Sequence, residues 1–242
     1  FLEPKIPYRE CIDRKKACET SVVTKSFDLW IADAFKKHKN ICAIVFGLPG
    51  AEKNGVIYAN DYPGIVGDQF LSYYKEKYQV PVIYENDINA TVYGFYARKN
   101  AETTESMVGL YYPRAYAPGA GIVINGEIYK GCMNFAGEVG YIPLNPPWNE
   151  VDYDNKEEII FMLSQIAIVF SCVLAPERIV FYGDFLTEEI LKELVERLTK
   201  ILHGKFLPLI AFENNLVKDF EWGLVQIGLS ELKRKEGMAA WF

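Results

Sequence analysis

The dipeptide Asn125-Gly126, set between two apolar, β-branched runs, constrains the chain more than any other feature. A two-residue type I′ turn needs positive φ at both central positions, which Asn and Gly adopt at little cost, so a tight hairpin is expected there. Its strands are read over 121–124 and 127–130, and a third, over 107–111, makes a meander. Just beyond, Gly137 and Gly140 bracket Glu138 and strip the backbone of side-chain bulk. That arrangement suits a carboxylate held close to a ligand. A loop acid between turn glycines is the plainer reading of the same residues.

A second acid follows a short apolar strand, Val80-Pro81-Val82-Ile83-Tyr84, with Glu85-Asn86-Asp87 at its carboxyl end and a helix expected over 88–98. In open α/β sheets ligands gather at the carboxyl ends of strands. Asn86 offers an amide donor and acceptor, and Asp87 a general base. Both residue types are also favoured helix caps, so capping is the competing reading.

With 242 residues, half of them hydrophobic, the chain can bury one large domain or two lobes. A net charge of −6 and a pI near 5.2 argue against direct nucleic acid binding by this chain, because grip on the phosphate backbone comes from clustered Lys and Arg. The five cysteines, Cys11, Cys18, Cys42, Cys132 and Cys172, are odd in number and lack a Cys-x-x-Cys pair. They read as reduced packing residues of a cytoplasmic protein, with no disulfide framework or zinc cage. The start Phe1-Leu2-Glu3-Pro4 has neither the basic nor the apolar part of a signal peptide. The apolar stretch 159–175 includes Ser164, Gln165 and Ser171 and reads as a buried helix, so no membrane partner is expected.

The element order repeats. After its meander the second half reads as helix 156–174, strand 178–182, helix 188–203 capped by Thr187 and followed by Gly204, strand 206–211 and helix 218–232. The first half reads as a helix capped by Ser26, with Phe27, Trp30, Ile31, Ala34 and Phe35 on one face, then strand 41–46, helix 68–78, the Val80 strand and the Ile88 helix. Before Ser26 there is room for one strand, at 5–8. The expectation is an α/β protein of two related units, 1–104 and 105–242, with the first lacking its opening hairpin and the last helix packing back on the first unit.

Glu85-Asn86-Asp87-Ile88-Asn89-Ala90 and the stretch 119–141 resemble, in order and spacing, the ROK family of sugar kinases and sugar-responsive repressors. Gly47-Leu48-Pro49-Gly50, Asn60-Asp61-Tyr62-Pro63-Gly64 and Ala175-Pro176-Glu177-Arg178-Ile179-Val180 extend the likeness more loosely. The resemblance implies a two-lobed, actin-like (duplicated ribonuclease H-like) fold with the ligand in the cleft, and a homodimer. It implies a monosaccharide or amino-sugar ligand held by Asn86, Asp87, Glu138, Tyr141 and Gly64, with Asp87 the base if the protein is a kinase. Gly119 and Gly183 fall in degraded nucleotide motifs, and ATP and magnesium are expected only for a kinase.

The departures concern phosphate and metal. Ala115-Tyr116-Ala117-Pro118 stands where the family has Gly-Thr-Gly, so a ring replaces a hydroxyl and a proline removes an N–H donor. Tyr182-Gly183-Asp184 replaces paired glycines and brings negative charge toward a phosphate site. The first-lobe Asp-x-Gly-x-Thr loop is not in the sequence. Tyr141 replaces the zinc-binding His, and 143–154 contains no Cys or His; the histidines, His38 and His203, sit near helix ends. No metal site is therefore expected, zinc included. These features favour the sugar-binding effector domain of a repressor, or a kinase-dead relative. An ATP-dependent kinase of a hexose or N-acetylhexosamine, or a subunit binding neither ligand, are the alternatives.

Overall fold

The structure, a computed structural model, describes residues 20–59, 62–99, 106–204 and 206–235. The expected strand at 5–8, Cys11, Cys18 and Asn60-Asp61 lie outside them. The order is α1 (Thr20–Lys37), β1 (Ile44–Gly47), β2 (Ala51–Lys53), β3 (Val56–Ala59), α2 (Gln69–Tyr78), β4 (Val82–Glu85), α3 (Asp87–Lys99), β5 (Met107–Tyr111), β6 (Gly119–Ile124), β7 (Glu127–Ile128), α4 (Lys156–Val173), β8 (Arg178–Tyr182), α5 (Glu188–Ile201), β9 (Leu209–Phe212) and α6 (Leu216–Lys235). Short 3₁₀ turns cover Pro63–Ile65, Cys132–Asn134 and Val139–Tyr141.

A five-stranded sheet, β7-β6-β5-β8-β9, carries the second half, with β5, β8 and β9 parallel and the β5-β6-β7 meander antiparallel. Asn125 and Gly126 take φ of 53° and 81°, the positive pair that a type I′ turn demands. The β7 ladder stops at Ile128, two residues short of expectation. Leu163, Ile166 and Ala167 of α4 and Leu194 and Leu198 of α5 pack into one core with Val108, Leu110, Ile179 and Phe181. Each large apolar side chain buried in it contributes about 1.5–3 kcal/mol. Thr187 caps α5 through its hydroxyl, which accepts from Ile190 N–H at 3.3 Å. No described helix is long and apolar enough to cross a membrane.

In the first half β1 and β4 pair in parallel. Phe27, Ile31 and Phe35 of α1 cover the cluster of Phe46, Phe70, Leu71 and Tyr74. Ser26 does not cap α1: the helix already runs from Thr20, and serine's small interior cost is outweighed by the packing face beginning at Phe27. A second antiparallel hairpin, β2-β3, turns at Asn54-Gly55 (φ 55° and 86°) and was not anticipated. Cys42, Cys132 and Cys172 are exposed, which corrects their reading as packing residues.

Helices α3 and α6 cross in backbone contact. A Cβ on Gly94 would sit 1.8 Å from the Asp219 carbonyl oxygen, and one on Gly223 1.8 Å from that of Ala90. Beside the crossing, the fully buried Asp219 accepts from Arg98 Nε at 2.8 Å and from Tyr182 Oη at 2.9 Å, while Arg98 also pairs with Glu213 at 3.0 Å. Burial pushes the Asp219 carboxyl above its usual range, and the bonds from Arg98 and Tyr182 offset part of that rise. Arg98→Met leaves this carboxylate buried without its cation. A loss of about 3–5 kcal/mol is expected, measured by urea unfolding; an unchanged midpoint would show that the network contributes little.

Candidate functional site

The two acidic segments meet at the start of β6. The amino end of α3 lies on that strand because Gly119 and Gly121 leave room: a Cβ on Gly119 would come 3.3 Å from Ile88 Cγ1, and one on Gly121 2.7 Å from Val92 Cγ2. From the other side Ala120 N–H donates to Gly137 O at 2.8 Å, fixing the residue before Glu138. Gly137 holds φ of 101°, and a Cβ there would strike Ala120 O at 2.0 Å. Ile88, which follows Asp87, and Gly137, which precedes Glu138, thus contact adjacent positions of β6, Gly119 and Ala120.

Capping accounts for part of the first segment's chemistry. Asn86 Oδ1 accepts from the N–H groups of Ile88 (2.9 Å) and Asn89 (3.1 Å), and Asp87 Oδ1 from Ile88 N–H (3.0 Å). Asn86 Nδ2 donates to Gly50 O at 3.2 Å, tying the turn to the segment after β1. With its oxygen engaged by the helix, Asn86 can serve a ligand mainly through the second Nδ2 hydrogen. Asp87, in the first turn of α3, gains from the helix dipole.

Glu85 and Lys130 form an ion pair next to this turn that the sequence reading did not single out. The Glu85 carboxylate is only 5% exposed; it pairs with Lys130 Nζ at 2.7 Å and accepts from Asn89 Nδ2 and Asn86 N–H, both at 3.1 Å. Position beside Asn86 hinted at Glu85, but nothing local announces a partner 45 residues away in sequence.

On the Glu138 side, the backbone turns tightly: Tyr141 N–H donates to Glu138 O at 3.3 Å and Ile142 N–H to Val139 O at 3.0 Å. Tyr141 is 78% exposed, its ring 5.8 Å from that of the exposed Phe135. The Tyr58 phenol on β3 is pushed up by burial first, then by Cys132, Glu138 and Glu52. The Asn134 amide donates to Glu52 O, joining that loop to the β2-β3 hairpin. Gly64 is one step removed: its 3₁₀ turn connects to the hairpin through Ile57 and Gly67, whose N–H and C=O groups exchange bonds of 2.9 and 2.7 Å.

Gly119 and Gly183 lie at one end of the large sheet, since Tyr111 of β5 faces both Gly119 and Tyr182. Tyr116 is half exposed, and Pro118 is buried and has no N–H to offer. Asp184 is less repulsive than its sequence position implied, because Arg114 Nε lies 3.3 Å from its Oδ1. Arg114 also pairs with Asp154 at 3.6 Å and lies over the Tyr153 and Phe185 rings. Among the described residues no group of three or more His, Cys, Asp or Glu is placed to hold a metal ion.

The sequence model of the ROK family matches residues 3–157. The xylose repressor of Bacillus subtilis (strain 168) is 36% identical over 74 residues, 29% of this chain and 18% of the repressor, so the match spans about a fifth of that relative. Among solved structures, a ROK family protein from Streptococcus pneumoniae TIGR4 in complex with sucrose shares 22% identity over 87% of each chain, with a TM-score of 0.69. The ROK hexokinase from Thermus thermophilus shares 18% over 78% of each chain, with a TM-score of 0.62. At these identities the structural likeness establishes a common α/β fold.

Proposed function

The chain belongs to the ROK family, and on that premise we propose that it is a sugar-binding regulatory protein: the effector domain of a repressor, or a kinase-dead relative. In this reading residues 1–104 and 105–242 are two lobes, and a monosaccharide or amino sugar sits between them on Asn86, Asp87 and Glu138, with Tyr141 and Gly64 at the rim. The protein works in the cytoplasm as a homodimer, without zinc, and this acidic chain does not itself contact DNA. One observation carries the reading: the Asp87 and Glu138 segments are packed onto adjacent residues of one strand, Gly119 and Ala120 respectively, while the neighbouring loop presents Tyr116 and Pro118, the latter without an N–H to donate to phosphate. Likeness to the xylose repressor supports it.

Calorimetry against glucose, mannose, their N-acetylated amines, fructose, xylose and sucrose tests the proposal. A hydrogen bond to a charged group contributes roughly 1.5–3 kcal/mol, so Asp87→Ala is expected to weaken the sugar that binds by about tenfold or more. Unchanged affinity removes Asp87 from the site.

A sugar kinase is the second reading, and the Arg114–Asp184 pair favours it by masking negative charge at the sheet end. Asp87 would then accept the proton of the sugar hydroxyl being phosphorylated.

A further inference from the structure

We propose that Lys130 sets the spacing of the two acidic segments, with Glu85 as its counterpart: both are positioning residues for the site at Asp87 and Glu138. The inference rests on that site being where a sugar binds. Lys130 acts through two different groups. Its ammonium pairs with Glu85 at 2.7 Å, beneath the Asn86-Asp87 turn. Its carbonyl accepts from Ala136 N–H at 3.1 Å, closing the turn that leads into Gly137-Glu138. One residue therefore holds the base of both acidic segments.

Glu85 relays the ammonium's position to the turn. One of its oxygens accepts from Asn86 N–H and from Asn89 Nδ2, each at 3.1 Å, while the other takes the lysine. Asn86 in turn caps Ile88 and Asn89. With Glu85 only 5% exposed and Lys130 34%, the pair is shielded on the carboxylate side, where screening by water is weakest. Removing the ammonium leaves a buried carboxylate without its cation, which it relieves by turning toward water. That motion releases Asn86 N–H and loosens the cap, although neither Lys130 nor Glu85 need touch the sugar.

The fold places this tie across the two halves: Glu85 ends β4, and Lys130 follows β7 of the large sheet. Its removal is thus expected to act at the site and to spare distant elements. Hydrogen exchange on the sugar-free protein reads this directly. In Lys130→Met, exchange of the Asn86, Ile88 and Asn89 amides is expected to rise about tenfold, with β8 amides unchanged and Lys130→Arg restoring most of the protection. Equal protection in Lys130→Met and the parent overturns the proposal, as does a uniform rise that includes β8.

Affinity gives the second readout, with glucose, mannose, N-acetylmannosamine and xylose as probes. Lys130→Met and Glu85→Gln are each expected to weaken the sugar that binds about tenfold, and the double variant no more than either alone, because the pair acts as a unit. Losses that multiply in the double variant overturn the coupling. If no probe binds the parent, or Asp87→Ala binds as the parent does, the sugar-site reading fails, and with it the positioning role, even where the exchange result shows the tie itself.

Discussion

Gly94→Ala is expected to lower the unfolding midpoint by about 10 °C or to prevent folding. Intrinsic propensity argues the other way, since Ala is preferred over Gly in a helix interior by about 0.8–1.0 kcal/mol. The decision rests on space. The new Cβ would lie 1.8 Å from the Asp219 carbonyl oxygen and 2.6 Å from Gly223 N, both backbone atoms that no rotamer change can move. Overpacking costs typically about 1–3 kcal/mol where side chains can yield. Here α3 and α6 must separate, and separation also pulls Asp219 from Arg98 and Tyr182. A total of about 3–5 kcal/mol follows, and about 2–4 °C per kcal/mol for a chain of this size gives the stated shift. Gly228→Ala on the same helix is the control: its Cβ would meet only a Val45 methyl at 3.1 Å, so a near-neutral or stabilising effect is expected. Thermal unfolding followed by circular dichroism checks both, and a Gly94→Ala protein as stable as its parent would rule out the close crossing. Because α3 begins with Asp87, surviving protein should also show a displaced site.

What could be read from the sequence divides along a physical line. Features written in adjacent residues were readable: the Asn125-Gly126 turn, the Thr187 cap, and Glu138 between two glycines. The hairpin at Asn54-Gly55 carries the same dipeptide and was passed over, because Ala51-Glu52-Lys53 is too short and polar to announce a strand. Asn134 and Gly67 anchor it from outside, through Glu52 and Ile57. Ser26 misled for the converse reason: a good capping residue lies where packing extends the helix past it. In the site, Asn86, Asp87 and Glu138 were nameable from local pattern, whereas Glu85–Lys130 and Arg98–Asp219 join residues far apart in sequence. Ion pairs of that kind exist only after the fold has formed.

The largest effect expected on activity concerns phosphoryl transfer, for which the full-length protein should show no turnover near the usual range of about 1–100 s⁻¹. Sugar recognition and phosphoryl transfer draw on different residues. Asp87 can accept a proton, but general base catalysis contributes only about 10²–10⁴-fold. The remaining acceleration must come from fixing and neutralising the transferred phosphate. At the sheet end beside Gly119 and Gly183, the groups presented are a half-exposed Tyr116, a buried Pro118 without an N–H, and an Arg114 already paired with Asp184 and Asp154. Arg114 is a cation there suited to phosphate, so it supplies a sharp discriminator. A coupled assay with ATP and magnesium against glucose, mannose, their N-acetylated amines and fructose is expected to read background for the parent, Asp87→Asn and Arg114→Met alike. Turnover that Asp87→Asn abolishes, and that Arg114→Met lowers by about 10²-fold as expected of a lost charge-stabilising donor, would assign the protein to the kinases of its family. Sugar binding without turnover, lost in Asp87→Ala, leaves the regulatory reading standing.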